Sequence, residues 1–132
     1  IMKKGILLIL LAVFYVASFS SSSLFAVDAN QLYQWHCAQC HGVKGDGKGP
    51  NAEFLSVEPL DHTDDHEMNE RSPGRVTNDI IGGGKKVGKS TAMPNWGENF
   101  AKDEVSALVE HLKKLCNCKL EGKDEEAGEK KS

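Results

Sequence analysis

This sequence of 132 residues has few aromatic residues, no apolar run long enough to span a bilayer and no excess of positive charge. Aromatic residues make up 7% of it, and the apolar run from Gly5 to Ala17 covers only 13 residues, whereas a bilayer span needs roughly 18 to 20. It has no internal repeat and no convincing strand pattern. The formal net charge of −3 argues against nonspecific binding to nucleic acid. What remains is a small chain whose regular structure is helical.

The first 26 residues have the order of a secretory signal. Lys3 and Lys4 precede the apolar run, and the serines at 18–23 and the small residue Ala26 follow it. We therefore predict cleavage after Ala26, a periplasmic or otherwise exported protein, and no membrane attachment afterwards. The alternative is an uncleaved anchor, which the short run disfavours. The remaining 106 residues suffice for one domain, with a formal charge of −5.

The most informative stretch of the mature part runs from Cys37 to His41. Two cysteines three positions apart, followed directly by a histidine, form the attachment pattern of c-type haem. Cys37 and Cys40 fall about one helical turn apart, so both thiols can reach the haem vinyl groups from one side and form thioethers. His41 can then bind the iron. The alternatives are a zinc half-site, a redox dithiol and a disulfide, and the adjacent histidine argues against them.

The sixth position of a haem iron has several candidate ligands in this chain. Met93 is the strongest, because it lies 52 positions after His41 in a loop between two predicted helices and Pro94 keeps its backbone extended. A thioether ligand raises the reduction potential relative to a second histidine. The alternative is that Met93 only fills the core.

The other candidates have weaker contexts. Met68 lies in a polar stretch, where packing against the haem edge or partial exposure fits better than ligation. His62 and His66 belong to an Asp-rich and His-rich stretch that we expect to be solvated rather than to bind a second metal. A backbone carbonyl between 42 and 50 is the expected acceptor for the other ring nitrogen of His41.

Cys116 and Cys118 remain once the haem motif has used the other two cysteines. Free thiols tend to pair in an oxidising compartment, but a bridge between residues only two apart is strained. We therefore expect Cys116 to be a buried thiol. The alternative is that one of the two binds iron or joins a partner chain.

The apolar pattern predicts three main helices. The first covers about 28–37, and the second covers 76–81, with Ile80 and Ile81 facing inward and three glycines ending it. The third, over 102–115, is the clearest, because its apolar residues follow the spacing of one buried helical stripe. That stripe consists of Val105, Leu108, Val109, Leu112 and Cys116.

The segments between and after these helices are expected to be irregular. Four glycines and a proline in 42–50 forbid regular structure and favour a chain that wraps around one haem face. Short helical turns are expected near 51–55 and within 61–70. Because residues 119–132 are charged and lack an apolar period, we predict a domain over 27–118 and a disordered tail after it.

Residues 83–90 match the phosphate-binding pattern G-x-x-x-x-G-K-[ST]. Such a loop must follow a buried strand and open a helix, whereas Pro94 and Gly97 soon interrupt any helix here. We therefore predict that the chain binds no nucleotide.

Several motifs of the mature part together resemble the class I cytochromes c, over about residues 29–116 and especially the small bacterial monohaem domains. The motifs are Leu32-Tyr33 ahead of Cys37, Gly49-Pro50, Val87-Gly88-Lys89-Ser90 and Met93-Pro94-Asn95-Trp96-Gly97. The resemblance implies an all-α, cytochrome c-like fold of three to five short helices around one haem c. It also implies covalent attachment through Cys37 and Cys40, and His41 and Met93 as iron ligands.

The same resemblance implies roles for three further residues. Tyr33 would pack where the first and last helices cross, the Pro50 carbonyl would accept a hydrogen bond from His41, and Trp96 would lie near the haem edge. The pair of late cysteines and the charged tail depart from the family pattern.

The leading functional expectation is a periplasmic electron carrier rather than an enzyme, with redox proteins as partners and with homodimers or heterodimers left open. If Met93 binds the iron, no open position remains, and no carboxylate or histidine pair otherwise marks an active site. The alternatives are a haem subunit of an enzyme complex, and a small-molecule-binding or gas-sensing haem protein whose distal ligand is labile or is a cysteine or histidine.

Overall fold

The computed structural model describes residues 27–124, so the predicted signal segment, 1–26, and the end of the predicted tail, 125–132, lie outside it. Within this range the regular structure is entirely helical, which confirms the expected all-α fold. None of the described helices is long and apolar enough to cross a membrane. The helices are α1 (Ala29–His36), α2 (Ala38–His41), a 3₁₀ turn (Ala52–Phe54), α3 (Asp65–Asn69), α4 (Pro73–Lys86) and α5 (Lys102–Cys116).

Side-chain caps define where the first helix and α4 begin. The Asp28 carboxylate accepts the backbone N–H of Gln31 at 3.0 Å at the start of α1. The Ser72 hydroxyl does the same for Arg75 at 2.9 Å, and Pro73 fits the first helical position. α4, predicted to begin at residue 76, therefore begins three residues earlier, at Pro73. The first turn of α4 is polar, so it lies outside the apolar pattern on which the prediction was based.

The glycines interrupt α4, as predicted, and a further helical turn follows them to Lys86. Gly83 has a φ of 66° and a ψ of 177°, and a Cβ there would lie 2.6 Å from the backbone of Pro94. The kink lets the following loop pair with α4: the N–H of Gly84 donates to the carbonyl of Met93 at 3.1 Å. Ile80 is buried as predicted, but Ile81 is 37% exposed, because adjacent helical residues point about 100° apart.

The core lies where α5 packs against α1 and α4. All five residues of the predicted α5 stripe are buried, which confirms the helical reading of that segment. Tyr33 is 1% exposed, and its ring centroid lies 5.0 Å from that of His111 on α5. The position that the resemblance implied for Tyr33, at the contact of the first and last helices, is therefore confirmed.

A disulfide joins Cys116 and Cys118. Asn117 adopts the left-handed conformation, with a φ of 50° and a ψ of 41°, and brings the two Cα atoms to 5.1 Å. That separation lies within the usual disulfide range, so the expected strain does not prevent the bond. The prediction of a buried free thiol at Cys116 is wrong, and so are iron ligation and an intermolecular bond as its alternatives. Only the burial of Cys116 is confirmed.

Residues 117–124 form an ordered segment, the C-terminal strap, against the connection between α3 and α4. Leu120 is 2% exposed, and the backbone N–H groups of Lys119 and Leu120 donate to the Asn69 side-chain oxygen at 3.2 and 3.1 Å. Further on, the N–H of Gly122 donates to the carbonyl of Arg71 at 3.2 Å. The prediction of disorder from 119 is therefore wrong for 119–124, because one apolar residue anchors a segment that has no apolar period.

Candidate functional site

A cavity of about 470 Å³ opens between α1, α2, α4, α5 and the loop after α4. This volume lies within the usual range for cofactor pockets, about 300 to 1,000 Å³. Five of the six residues predicted to contact a cofactor line it: Cys37, Cys40, His41, Met93 and Trp96. Pro50 does not line it and is exposed. The fold thus brings together residues that are up to 59 positions apart in the sequence.

Cys37 and Cys40 are free thiols at the junction of α1 and α2. The carbonyl of Cys37 accepts the N–H groups of Cys40 and His41 at 3.1 and 2.9 Å, which closes the tight turn expected from the spacing. Burial, with a further contribution from Cys40, raises the pKa of the Cys37 thiol to about 12.

His41 presents one ring nitrogen to a backbone carbonyl. Its Nδ1 lies 3.0 Å from the carbonyl oxygen of Leu60, and since a carbonyl can only accept, Nδ1 carries the hydrogen. Burial lowers the pKa of His41, although the Leu60 hydrogen bond opposes this. In the neutral ring, Nε2 then keeps the lone pair that a metal requires.

The expectation that Pro50, or another carbonyl of 42–50, accepts the hydrogen bond from His41 is wrong. That loop folds back on the backbone of α2 instead: the N–H groups of Gly47 and Gly49 donate to the carbonyls of His41 and Cys40 at 2.8 and 3.0 Å. Nor do residues 42–50 line the cavity as expected, since the segment after the 3₁₀ turn, residues 57–62, does so.

Two methionines line the same cavity. Met93 is partly buried in the loop that pairs with Gly84, and Met68 is fully buried on α3. Partial exposure of Met68 is thus wrong, while its packing against the site agrees with the expectation. The polar neighbours of Met68 misled the prediction because α3 turns them outward and this one side chain inward.

Trp96 packs flat on Phe100, with ring centroids 5.0 Å apart and planes 9° apart, and the ring of His36 contacts both edgewise. The backbone N–H of Trp96 donates to the carbonyl of Ile80 at 3.1 Å. This packing fixes the Trp96 ring in the cavity wall.

Three cations in the cavity wall were not considered as site residues from the sequence, whereas His62 was considered and rejected as a metal ligand. Arg71, Arg75 and Lys89 share the wall with four carboxylates, and Arg71 forms an ion pair with Glu67 at 3.7 Å. The carboxylates are those of Glu58, Asp61, Glu67 and Asp79. His62, predicted to be solvated, is buried, and its ring Nδ1 is hydrogen-bonded to the Tyr33 hydroxyl. His66, from the same stretch, is exposed as expected.

A helical domain whose cavity presents two thiols one turn apart and a histidine next to them has the features of a c-type haem protein. The family model for cytochrome c matches residues 26–115, and the chain belongs to that family. A comparison with curated proteins finds no match. Membership of the family implies a covalently bound haem c and electron transfer through it, and members are typically exported.

The cavity fits such a group on its own chemistry. Two free thiols, one imidazole nitrogen with a free lone pair and two thioethers provide the attachment and ligand atoms. Buried apolar residues form much of the remaining wall. The apolar wall consists of Val76, Ile80, Leu108 and Leu112.

Proposed function

We propose that this protein is a periplasmic electron carrier with a single haem c, attached through Cys37 and Cys40 and ligated by His41 and Met93. The observation that supports the proposal is the convergence of these four residues on one cavity. When bound, the haem supplies a one-electron couple between ferrous and ferric iron. Redox proteins are the proposed partners, and no catalytic residue is required of the chain.

The residues of the cavity would each contribute to such a carrier. The Leu60 carbonyl holds the His41 tautomer that has its lone pair on Nε2. The loop of Met93 is held on α4 by the Gly84 hydrogen bond, so its thioether is supplied from a fixed backbone. The apolar residues of α4 and α5 exclude water, and burial is one of the means by which a protein adjusts a haem potential.

The choice between the two methionines can be tested directly. Met93→Ala is expected to remove the near-infrared thioether-to-iron band of the oxidised protein and to lower the reduction potential, because water or another side chain is a poorer partner for ferrous iron. Met68→Leu is the matched control, since it keeps an apolar side chain of similar volume, and it should retain the band. Loss of the band only in Met68→Leu would assign the ligand to Met68.

Carbon monoxide distinguishes the carrier from an enzyme subunit or a gas sensor. If both axial positions are filled, the reduced wild-type protein should bind carbon monoxide slowly and incompletely at neutral pH, whereas Met93→Ala should bind it readily. Rapid, complete binding by the wild type would contradict a closed carrier. Export is tested separately by the mass of the periplasmic protein, which should start at Val27 and include one haem.

A further inference from the structure

His62 lies directly against His41 in the wall of the cavity. The two imidazole rings are nearly parallel, with centroids 4.2 Å apart and planes at 16°. His62 is 8% exposed, so its ring occupies this position in the interior and not at the surface. The His62 ring therefore covers one face of the His41 ring, whose Nε2 is the nitrogen available to a metal.

His62 is itself held from two directions. Its ring Nδ1 is hydrogen-bonded to the Tyr33 hydroxyl at 3.0 Å, and Tyr33 is fixed between α1 and α5. Its backbone N–H donates to the carbonyl of Gly45 at 2.6 Å. Gly45 permits this approach, because it has a φ of 84° and a Cβ there would lie 2.9 Å from Leu115 and 3.3 Å from the Cβ of His62. The imidazole of His62 is therefore a fixed surface.

The orientation of His41 needs such a surface. Rotation of an imidazole about its Cβ–Cγ bond is a broad torsion, so rotamer preference alone does not fix the ring plane. The Leu60 carbonyl holds Nδ1, but a single hydrogen bond permits the ring to tilt about that contact. His62 lies two residues after Leu60 in the chain, and its ring is stacked on His41. This stacking restricts the tilt of the His41 ring.

We propose that His62 is a positioning residue that fixes the imidazole plane of His41, and that the Tyr33 hydroxyl holds His62 in place for this purpose. The inference rests on the proposed function, because it takes His41 as the haem ligand. Groups behind a metal ligand orient it and adjust the metal's properties. In ferric haem, the ligand plane determines how unpaired spin is distributed, and the shifts of the haem methyl protons report that distribution.

The test compares His62→Leu, which removes the flat ring, with His62→Phe, which keeps a flat ring and removes the ring nitrogens. Proton NMR of the oxidised, haem-containing proteins should show a changed order or spread of the haem methyl shifts in His62→Leu. The change should be clearly smaller in His62→Phe, which keeps the flat ring but loses the hydrogen bond to Tyr33. A wild-type pattern in both variants, or an equal change in both, would overturn the proposal, because the flat ring would then not determine the ligand plane.

Tyr33→Phe keeps the test decisive if His62→Leu does not fold. This variant retains the packed ring between α1 and α5 and removes only the hydroxyl, so we expect a smaller methyl-shift change in a folded protein. An unchanged pattern would refute the role given to the hydroxyl. Failure of the proposed function has a different signature, since the reduced wild-type protein would then bind carbon monoxide rapidly and completely.

Discussion

His111 has a buried ring nitrogen, Nε2, that makes no hydrogen bond within the described residues. Its ring packs on Tyr33. Burial lowers the pKa of His111, Lys114 lowers it further, and Asp28 opposes them. Since the folded-state pKa lies below that of the unfolded chain, protonation favours unfolding. The contribution of this residue to stability is therefore present above about pH 6.5 and is lost as the pH falls below it.

Replacing His111 by leucine should reduce this acid sensitivity. His111→Leu is expected to lie within about 1 kcal/mol of the wild type at pH 7, because loss of the ring contact and removal of an unpaired nitrogen oppose each other. Between pH 7 and pH 5 it should lose less unfolding free energy than the wild type, as measured by denaturant titration. Gln31→Ala, at an exposed position and without a titratable group, is the control and should keep the wild-type slope. Equal slopes for the wild type and His111→Leu would refute this assignment.

The residues of the site differ in how far sequence could predict them. Cys37, Cys40 and His41 depend on local spacing, and Met93 and Trp96 lie in one short loop, so their common cavity could be anticipated. The roles of two other residues could not. Leu60, 19 positions from His41, and His62 contact it only through the path of the chain after the 3₁₀ turn. Neither carries a local pattern that distinguishes it from a solvated loop residue.

Among the structural elements, the C-terminal strap offers the clearest test, because its packing depends on few contacts. Leu120→Ala should cost about 2 kcal/mol, at the low end for a buried leucine because the segment can relax, and Asn69→Ala about 1 to 2 kcal/mol, because two backbone N–H groups lose their acceptor. Unfolding free energies and amide exchange at 119 and 120 measure both effects. Lys119→Ala, an exposed side chain, is the control. Wild-type stability of Leu120→Ala would show that the strap contributes nothing.

The helices themselves were predictable to different degrees for physical reasons. α5 repeats its apolar spacing over four turns, so its buried face could be read directly. The kink of α4 at Gly83 instead depends on the approach of Pro94, a tertiary contact. The strap and its disulfide depend on Asn117 adopting a left-handed conformation and on a single buried leucine. Neither feature repeats, and periodicity therefore gives no indication of them.

At the scale of the whole molecule, the cavity is large for the domain that surrounds it. Without a group in this cavity, the apolar side chains of α4 and α5 that line it would face water. A chain of this size has little other apolar surface to bury. A group that fills the cavity therefore contributes to the fold as well as to electron transfer.

Removal of the two haem-binding cysteines should therefore affect folding more than removal of the two cysteines of the disulfide. A variant with Cys37→Ser and Cys40→Ser is expected to lose covalently bound haem and, with it, the cooperative thermal transition in far-UV circular dichroism. A variant with Cys116→Ser and Cys118→Ser should retain haem and a cooperative transition. It should lose only about 2 kcal/mol, because the disulfide closes a very short loop and restricts the unfolded chain little. A cooperative transition in the first variant without haem would show that the helices can close the cavity alone, and it would remove the structural role assigned to the cofactor.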